Sequence, residues 1–228
     1  MDHARPKVTA TELLAQLQAL AHLHNVEGMA HFGINPANTL GVSMPEVRRL
    51  ARGVRGHDLA LELWQSGWHE ARILAALVDD PRLVTPQQME DWAAAFDSWD
   101  VCDQVCMNLF DRTAYTVEKI HAWASRNEEF VRRAAFSTLA SLAVHAKKMP
   151  DEQFEPFFPL ILQAASDERN FVKKAVNWAL RQTGKRSPYL QARAIQTARD
   201  ILANAENASA RWVARDALRE LENHIFSR

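Results

Sequence analysis

Two short stretches of this sequence place tryptophans beside charged side chains at helical spacing. Trp99 and Asp103 are four residues apart and Trp178 and Arg181 are three apart, so each pair shares a face if its segment is helical. A carboxylate can stabilise a developing positive charge, and an indole face attracts cations. The alternative is that each tryptophan belongs to a hydrophobic core and each charge to a solvated surface. Spacing alone leaves both interpretations open.

Several other kinds of site are missing from the sequence. There is no glycine-rich phosphate loop, no His-Glu-x-x-His motif and no nucleophile elbow. Cys102 and Cys106 lie one helical turn apart, and zinc would need further ligands that we do not find, so buried thiols are the preferred interpretation. We therefore expect no metal and no cofactor.

Composition points to a helical protein of the cytoplasm. Only seven of the 228 residues are glycine, and Ala, Leu, Arg, Glu and Gln dominate. Two cysteines one turn apart do not make a disulfide framework, which favours a reducing compartment. The N-terminus has no apolar signal segment, and no apolar stretch approaches the roughly 18 residues that span a bilayer. We expect a cytoplasmic protein, most simply a monomer, with no membrane association.

The tryptophans and charges must be positioned by a repeated helical unit. Three segments beginning at Ser125, Ser166 and Asn207 share one pattern at steps of 41 residues: a helix-capping residue, four mostly polar residues, an aromatic residue, Val and two mostly basic positions. A period near 40 to 47 residues with two helices per unit is typical of HEAT-like solenoids. We predict an all-α HEAT-like repeat fold, an αα superhelix forming a single domain over residues 1–228.

Helical periodicity and turn residues predict thirteen helices and no strand. Their predicted ranges are 9–24, 26–32, 45–53, 57–66, 68–79, 86–96, 99–112, 115–124, 127–147, 151–165, 167–183, 188–204 and 208–226.

The net charge of −1 conceals an uneven distribution of charge. Residues 169–199 contain eight Arg or Lys and no acid. In a stack of repeats, Arg132 and Lys173 would line up on one surface, as would Arg133, Lys174 and Arg215. Such a concave basic face could follow the phosphates of a nucleic acid, whereas a solvated helix surface is the alternative.

The sequence resembles the DNA alkylation repair glycosylases of the HEAT-like (AlkD-like) family from about residue 20 to the C-terminal helices. The resemblance rests on five stretches together: Gly41–Arg49, Leu63–Glu70, Ser98–Asp103, Phe130–Ala135 and Phe171–Arg181. It implies removal of cationic alkylated purines, 3-methyladenine and 7-methylguanine, from double-stranded DNA for base excision repair.

The resemblance also implies roles for individual residues. Asp103 matches the family's catalytic aspartate, and Trp99 and Trp178 match the aromatic residues that flank the sugar of the lesion. The basic residues expected to hold DNA are Arg133, Arg181, Arg48 and Lys174, the last of these from the repeat pattern. The family commonly has a polar residue where Met44 precedes Pro45, so this sequence departs from the pattern near Arg48. Two other functions stay open: a non-catalytic binder of branched or damaged DNA on the same scaffold, and a protein–protein scaffold.

Overall fold

The computed structural model describes residues 8–226, and these contain α-helices and short 3₁₀ turns but no β-strand. The all-helical prediction is thus confirmed for this part of the chain. Residues 1–7, within the stretch where no signal segment was found, lie outside the described residues. The chain divides into two compact units, Met1–Thr85 and Pro86–Arg228. A single domain over residues 1–228 stays a prediction, as does the concave shape.

The N-terminal unit contains five helices: α1 (Ala10–Ala19), α2 (Leu23–His31), α3 (Met44–Ala51), α4 (His57–Gln65) and α5 (His69–Val78). The most buried of them is α5, which packs against α1, α3 and α4. Its Glu70 is 1% exposed and accepts hydrogen bonds from the backbone N–H groups of Leu40, Gly41 and Val42 at 2.7–3.2 Å. One buried carboxylate therefore fixes the loop that leads into α3.

Glycine is required at one position of that loop. Gly41 has a φ of +77°, and a Cβ atom there would lie 2.3 Å from the carbonyl oxygen of His22. Any other residue would combine left-handed backbone strain with a clash against backbone. The conformation of the loop thus depends on both Gly41 and Glu70.

The C-terminal unit contains eight α-helices: α6 (Pro86–Ala94), α7 (Trp99–Asn108), α8 (Thr116–Trp123), α9 (Glu129–His145), α10 (Phe157–Ala164), α11 (Asn170–Gly184), α12 (Pro188–Ala203) and α13 (Ala208–Leu221). Short 3₁₀ turns cover Phe110–Arg112 and Asp151–Phe154. The odd-numbered helices form one row, since α7 packs on α9, α9 on α11 and α11 on α13. The even-numbered helices cover them, with α8 on α9 and α12 on both α11 and α13.

Several predicted helix boundaries were wrong, three of them for clear local reasons. The predicted helix 151–165 is a 3₁₀ turn followed by α10, because Pro156 lies between them and has no N–H to continue an α-helix. Ser125 and Ser166 are not the caps of α9 and α11. The cap of each helix lies three residues further along the chain, at Glu128 and Arg169. The Asp167 carboxylate accepts from the backbone N–H of Arg169 at 3.0 Å and so forms a turn there. The third predicted cap, Asn207, is confirmed by its acceptance from Ala210 N at 2.9 Å.

Aromatic side chains fill the core of the C-terminal unit. Phe110 is fully buried, and its ring centroid lies 5.8–6.4 Å from those of Trp92, Phe96 and Trp123. The indole N–H of Trp123 is satisfied by Glu90 at 2.9 Å. Trp92 and Trp123 are thus core residues, 3% and 0% exposed. Trp99 and Trp178, by contrast, are only half-buried.

Candidate active site

Asp103 is held by a two-pronged ion pair from the neighbouring helix. The Arg133 guanidinium on α9 donates through Nε to Oδ1 at 3.0 Å and through Nη2 to Oδ2 at 2.7 Å. Two parallel N–H···O bonds between planar groups fix orientation as well as distance. The Asp103 side chain on α7 retains 14% exposure, whereas that of Arg133 retains 6%. The carboxylate is therefore oriented from within the protein and reaches solvent on one side.

Ser137 supplies a third donor to the same carboxylate. Its hydroxyl donates to Oδ1 of Asp103 at 2.7 Å, one turn along α9 from Arg133. A carboxylate offers about four acceptor positions, two on each oxygen. The three donors within the described residues occupy both positions of Oδ1 and one of Oδ2, so Oδ2 retains an acceptor position for a further group.

Sequence reasoning missed Ser137. A signal was present, because Ser137 follows Arg133 at i+4 and so shares its helical face, and the structure shows that it is fully buried. A buried hydroxyl needs a partner, and Arg133 had already been singled out on the same face.

Arg133 ties three helices of the row together. Besides its bonds from α9 to Asp103 on α7, its Nη1 donates to the carbonyl oxygen of Phe171 on α11 at 2.5 Å. Burial opposes the charged form of this guanidinium, but the charge and hydrogen bonds of Asp103 outweigh it and raise the pKa of Arg133 above its ordinary value. The side chain is locked in its charged form.

This arrangement bears on the role expected for Arg133. The resemblance implied a contact with the DNA backbone, but the residue is 5% exposed and its donors point to Asp103 and Phe171. A phosphate would have to break the ion pair to reach it. The geometry places Arg133 where it can orient Asp103, and its contact with DNA stays a prediction.

Trp99 lies at the start of α7, directly after the cap residue Ser98. Its half-buried ring is one turn from Asp103, and the guanidinium carbon of Arg133 lies 5.9 Å from the ring centroid. Trp99, Asp103 and Arg133 therefore form one group in which a carboxylate, a buried cation and an indole face are adjacent.

Asp103 occupies the helix position that basic residues take in the next two helices of the row. Asp103, Arg133 and Lys174 are each the fifth residue of their helix, counted from Trp99, Glu129 and Asn170. The step from α7 to α9 is 30 residues rather than 41, which hid this equivalence in the sequence. The acid thus faces a base because the repeat places them in register.

A second group of predicted residues lies along α11. Trp178 is half-buried and Lys174 is exposed. Arg181 forms an ion pair with Glu220 of α13, and its Nε lies 3.8 Å from Asp216 Oδ2. Lys185 also pairs with Glu220 at 2.5 Å. Burial opposes the ionised form of Glu220, but hydrogen bonds from Lys185 and Arg181 outweigh it and lower its pKa. A phosphate that binds Arg181 must therefore compete with two carboxylates.

The segment 169–199 is less basic in the folded chain than in the sequence. Six of its eight basic residues form ion pairs with acids from elsewhere: Arg169 with Asp167, Arg181 and Lys185 with Glu220, Arg186 with Asp151, Arg193 with Glu155 and Arg199 with Glu222. Arg132 likewise pairs with Asp167. Of the two predicted ladders, Lys173, Lys174 and Arg215 have no carboxylate partner within residues 8–226, so their charge is not offset by a neighbouring acid.

Arg48 is exposed near the end of α3, in the N-terminal unit. Ser43 and Glu46 form a capping box at the start of that helix, and Met44 and Pro45 occupy its first two positions. The capping box and the loop that Glu70 fixes together hold the start of α3, the helix that carries Arg48. Its contact with DNA stays a prediction.

No group of three or more His, Cys, Asp or Glu suitable for a metal ion occurs within residues 8–226. Cys102 and Cys106 are fully buried free thiols, and each lies 3.6–3.7 Å from a backbone carbonyl oxygen of α9. Burial raises the pKa of the Cys102 thiol well above its ordinary value. These cysteines are core residues, as predicted. None of the helices in the described part of the chain is long and apolar enough to cross a membrane.

The fold and the site define a HEAT-like helical repeat protein with a buried arginine–aspartate pair in its C-terminal unit. The model of the DNA alkylation repair enzyme family matches residues 13–221. The chain therefore belongs to the DNA alkylation repair enzyme family.

A solved structure has the same fold at low sequence identity. It superimposes with a TM-score of 0.77 at 15% identity, covering 94% of this chain and 96% of its own. It is described as representing a new family of proteins related to the HEAT-like repeat DNA glycosylases with affinity for branched DNA structures. No curated protein matches the sequence.

Proposed function

We propose that this protein is a monofunctional DNA glycosylase that removes cationic alkylated purines, 3-methyladenine and 7-methylguanine, from double-stranded DNA. The observation that carries the proposal is the anchored carboxylate of Asp103, which has three internal donors and one remaining acceptor position and lies one helical turn from Trp99. Base excision repair is the process in which such an activity would act.

A single carboxylate suits this reaction. A purine alkylated at N3 or N7 carries a positive charge, so it departs as a neutral base without a general acid. The difficult part is the sugar, which develops oxocarbenium character as the C1′–N bond breaks and its electron pair leaves with the base. A fixed carboxylate beside C1′ stabilises that charge, as in enzymes that hydrolyse glycosides. Water then adds to C1′ and releases its proton to Asp103 or to solvent.

Arg133 and Ser137 fit this reaction as positioning residues. Catalysis by electrostatic stabilisation requires that the charged group be oriented before the reaction begins. The two hydrogen bonds from Arg133 fix the plane of the carboxylate, and the hydrogen bond from Ser137 to Oδ1 restricts its rotation further. Water would donate to the remaining acceptor position on Oδ2, and C1′ of the deoxyribose would lie beside the carboxylate.

Recognition would rest on the aromatic and basic residues. Trp99 and Trp178 are half-buried, so each can present part of a ring to the sugar or to the charged base. Lys174 and Arg48 are exposed and could contact phosphates. Arg181 could also contact a phosphate if its ion pairs with Glu220 and Asp216 were broken.

The test is release of alkylated bases from methylated double-stranded DNA. Wild type should release 7-methylguanine or 3-methyladenine, Asp103→Asn should release neither, and Asp91→Asn serves as a matched control on the exposed surface of α6. Absence of release by the folded wild type would end the glycosylase proposal. Binding of branched DNA without release would then favour the property described for the fold neighbour.

A further inference from the structure

The last helix of the described chain presents one face that is basic and aromatic. Helix α13 buries Ala210, Val213, Ala214, Ala217 and Leu221 against the unit. Its other side lines an open groove of about 490 Å³, formed by Ala208, Arg211, Trp212, Arg215, Asp216 and Arg219. These six positions follow helical spacing, so they lie on a single face.

Trp212 continues a row of aromatic residues that runs through the repeats. Phe130, Phe171 and Trp212 share one repeat position, and the rings of the first two stack with centroids 5.7 Å apart. Lys173 Nζ lies 5.7 Å from the centre of the Trp212 ring. Trp212 is 39% exposed, whereas Phe130 and Phe171 are less so. The row thus ends on a partly open indole bordered by cations.

The charge on this face is positive and only partly compensated. Asp216 pairs with Arg219 and approaches Arg181. Arg211 and Arg215 are exposed, and neither pairs with a carboxylate within residues 8–226. They are four residues apart, a rise of about 6 Å along the helix, and Trp212 adjoins Arg211.

We propose that this face of α13 binds unpaired nucleotides of single-stranded DNA, with Arg211 and Arg215 on phosphates and Trp212 stacked on a base. Stacking on an exposed indole beside a basic groove is the means by which proteins hold single strands without reading their sequence. Bases in a duplex are already stacked and offer no free ring face. The site goes beyond the proposed base excision, since it contains neither Asp103 nor Trp99.

The aromatic part of the proposal is tested by fluorescence anisotropy with a labelled oligothymidylate of about 12 nucleotides. Trp212→Leu should weaken binding about tenfold, because loss of one stacked base reduces affinity by that order. Trp212→Phe keeps a ring and should retain most of the binding. Tyr189→Leu removes an exposed aromatic ring from α12, where Tyr189 is 48% exposed, and should leave binding unchanged.

The basic part is tested by the dependence of binding on salt. Replacing both Arg211 and Arg215 by alanine should reduce the slope of log affinity against log salt by about 1.4, since each single-strand phosphate contributes about 0.7. The matched control replaces Lys147 and Lys148, which are exposed beyond α9, and removes the same net charge. This control should leave the slope unchanged.

Two competitors decide whether unpaired bases are recognised. An abasic oligonucleotide of equal length keeps the phosphates, so its binding should not depend on Trp212. Polyglutamate of equal charge should compete poorly. Equal competition by polyglutamate, or equal effects of Trp212→Leu and Tyr189→Leu in variants that melt like wild type, would overturn the proposal. Because base release is not measured, failure here leaves the glycosylase proposal unaffected.

Discussion

The pair formed by Asp103 and Arg133 allows its structural and chemical contributions to be separated. Three variants are needed: Asp103→Leu, Arg133→Met and the double variant. Each single change leaves one buried charge without its partner. The double change replaces both charged side chains by apolar ones of similar volume. Arg133 has a side chain only 6% exposed, and that of Asp103 is 14% exposed. Water can therefore compensate little for a missing partner.

The expected energies follow from this burial. Removing one member of a buried, hydrogen-bonded ion pair typically lowers the free energy of unfolding by about 3–5 kcal/mol. For a chain of this size, each kcal/mol corresponds to roughly 2–4 °C in melting temperature. We expect each single variant to melt about 6–20 °C lower. The double variant should lie within about 1 kcal/mol of wild type, because apolar replacement of a buried pair is often neutral. The magnitude of the coupling energy should therefore be at least about 5 kcal/mol.

The assays are urea denaturation of all four proteins and release of methylated purines by those that fold. The double variant should be stable and inactive, since it retains the packing without the carboxylate. If Asp103→Leu lost less than about 1 kcal/mol, the carboxylate would be solvated and the buried-pair argument would be wrong. If the stable double variant released bases, Asp103 would have no catalytic part.

Four further changes have defined outcomes. Ser137→Ala should lower the free energy of unfolding by about 1.5–3 kcal/mol in urea, since it removes a hydrogen bond to a charged group. Glu70→Gln should speed hydrogen exchange at the backbone N–H groups that the carboxylate holds, measured by mass spectrometry. Burial opposes ionisation of Asp167, but hydrogen bonds from neighbouring arginines hold its pKa at about 2 against an ordinary 3.8. Its stabilisation is therefore present above pH 3.8 and lost as pH falls through 2, so wild type and Asp167→Asn should converge in acid melts. Glu220→Gln should tighten DNA binding in anisotropy measurements at low salt, because Arg181 is then less neutralised.

The repeat and the candidate carboxylate were within reach of sequence reasoning because their signals are local. The 41-residue period identified the helical repeat, and the spacing of Trp99 and Asp103 placed them on one face. The cap at Asn207 was predicted correctly, but Ser125 and Ser166 were not caps because turns follow them. Local patterns specify a helix more reliably than its first residue.

The pairing of charges was beyond such reasoning because it joins residues far apart in the chain. Arg133 and Asp103 are separated by 30 residues, and Arg181 and Glu220 by 39. Their contact depends on which faces of successive helices meet, and no local pattern encodes that. The acids that pair with the basic segment 169–199 were therefore not foreseen, nor was the pairing of Arg133 with Asp103.

Arg133 joins α7, α9 and α11 by hydrogen bonds, and this has a consequence for how the proposed activity would be lost on heating. In a repeat protein each helix pair is stabilised mainly by its neighbours, so unfolding can begin at one end and advance inward. Opening of α13 would first release Arg181 and Lys185 from Glu220, while Arg133 still joins α7, α9 and α11. Such partly opened molecules would keep the Asp103 carboxylate in place, but their affinity for DNA would change. Mild heating should therefore change the Michaelis constant before it changes the turnover number.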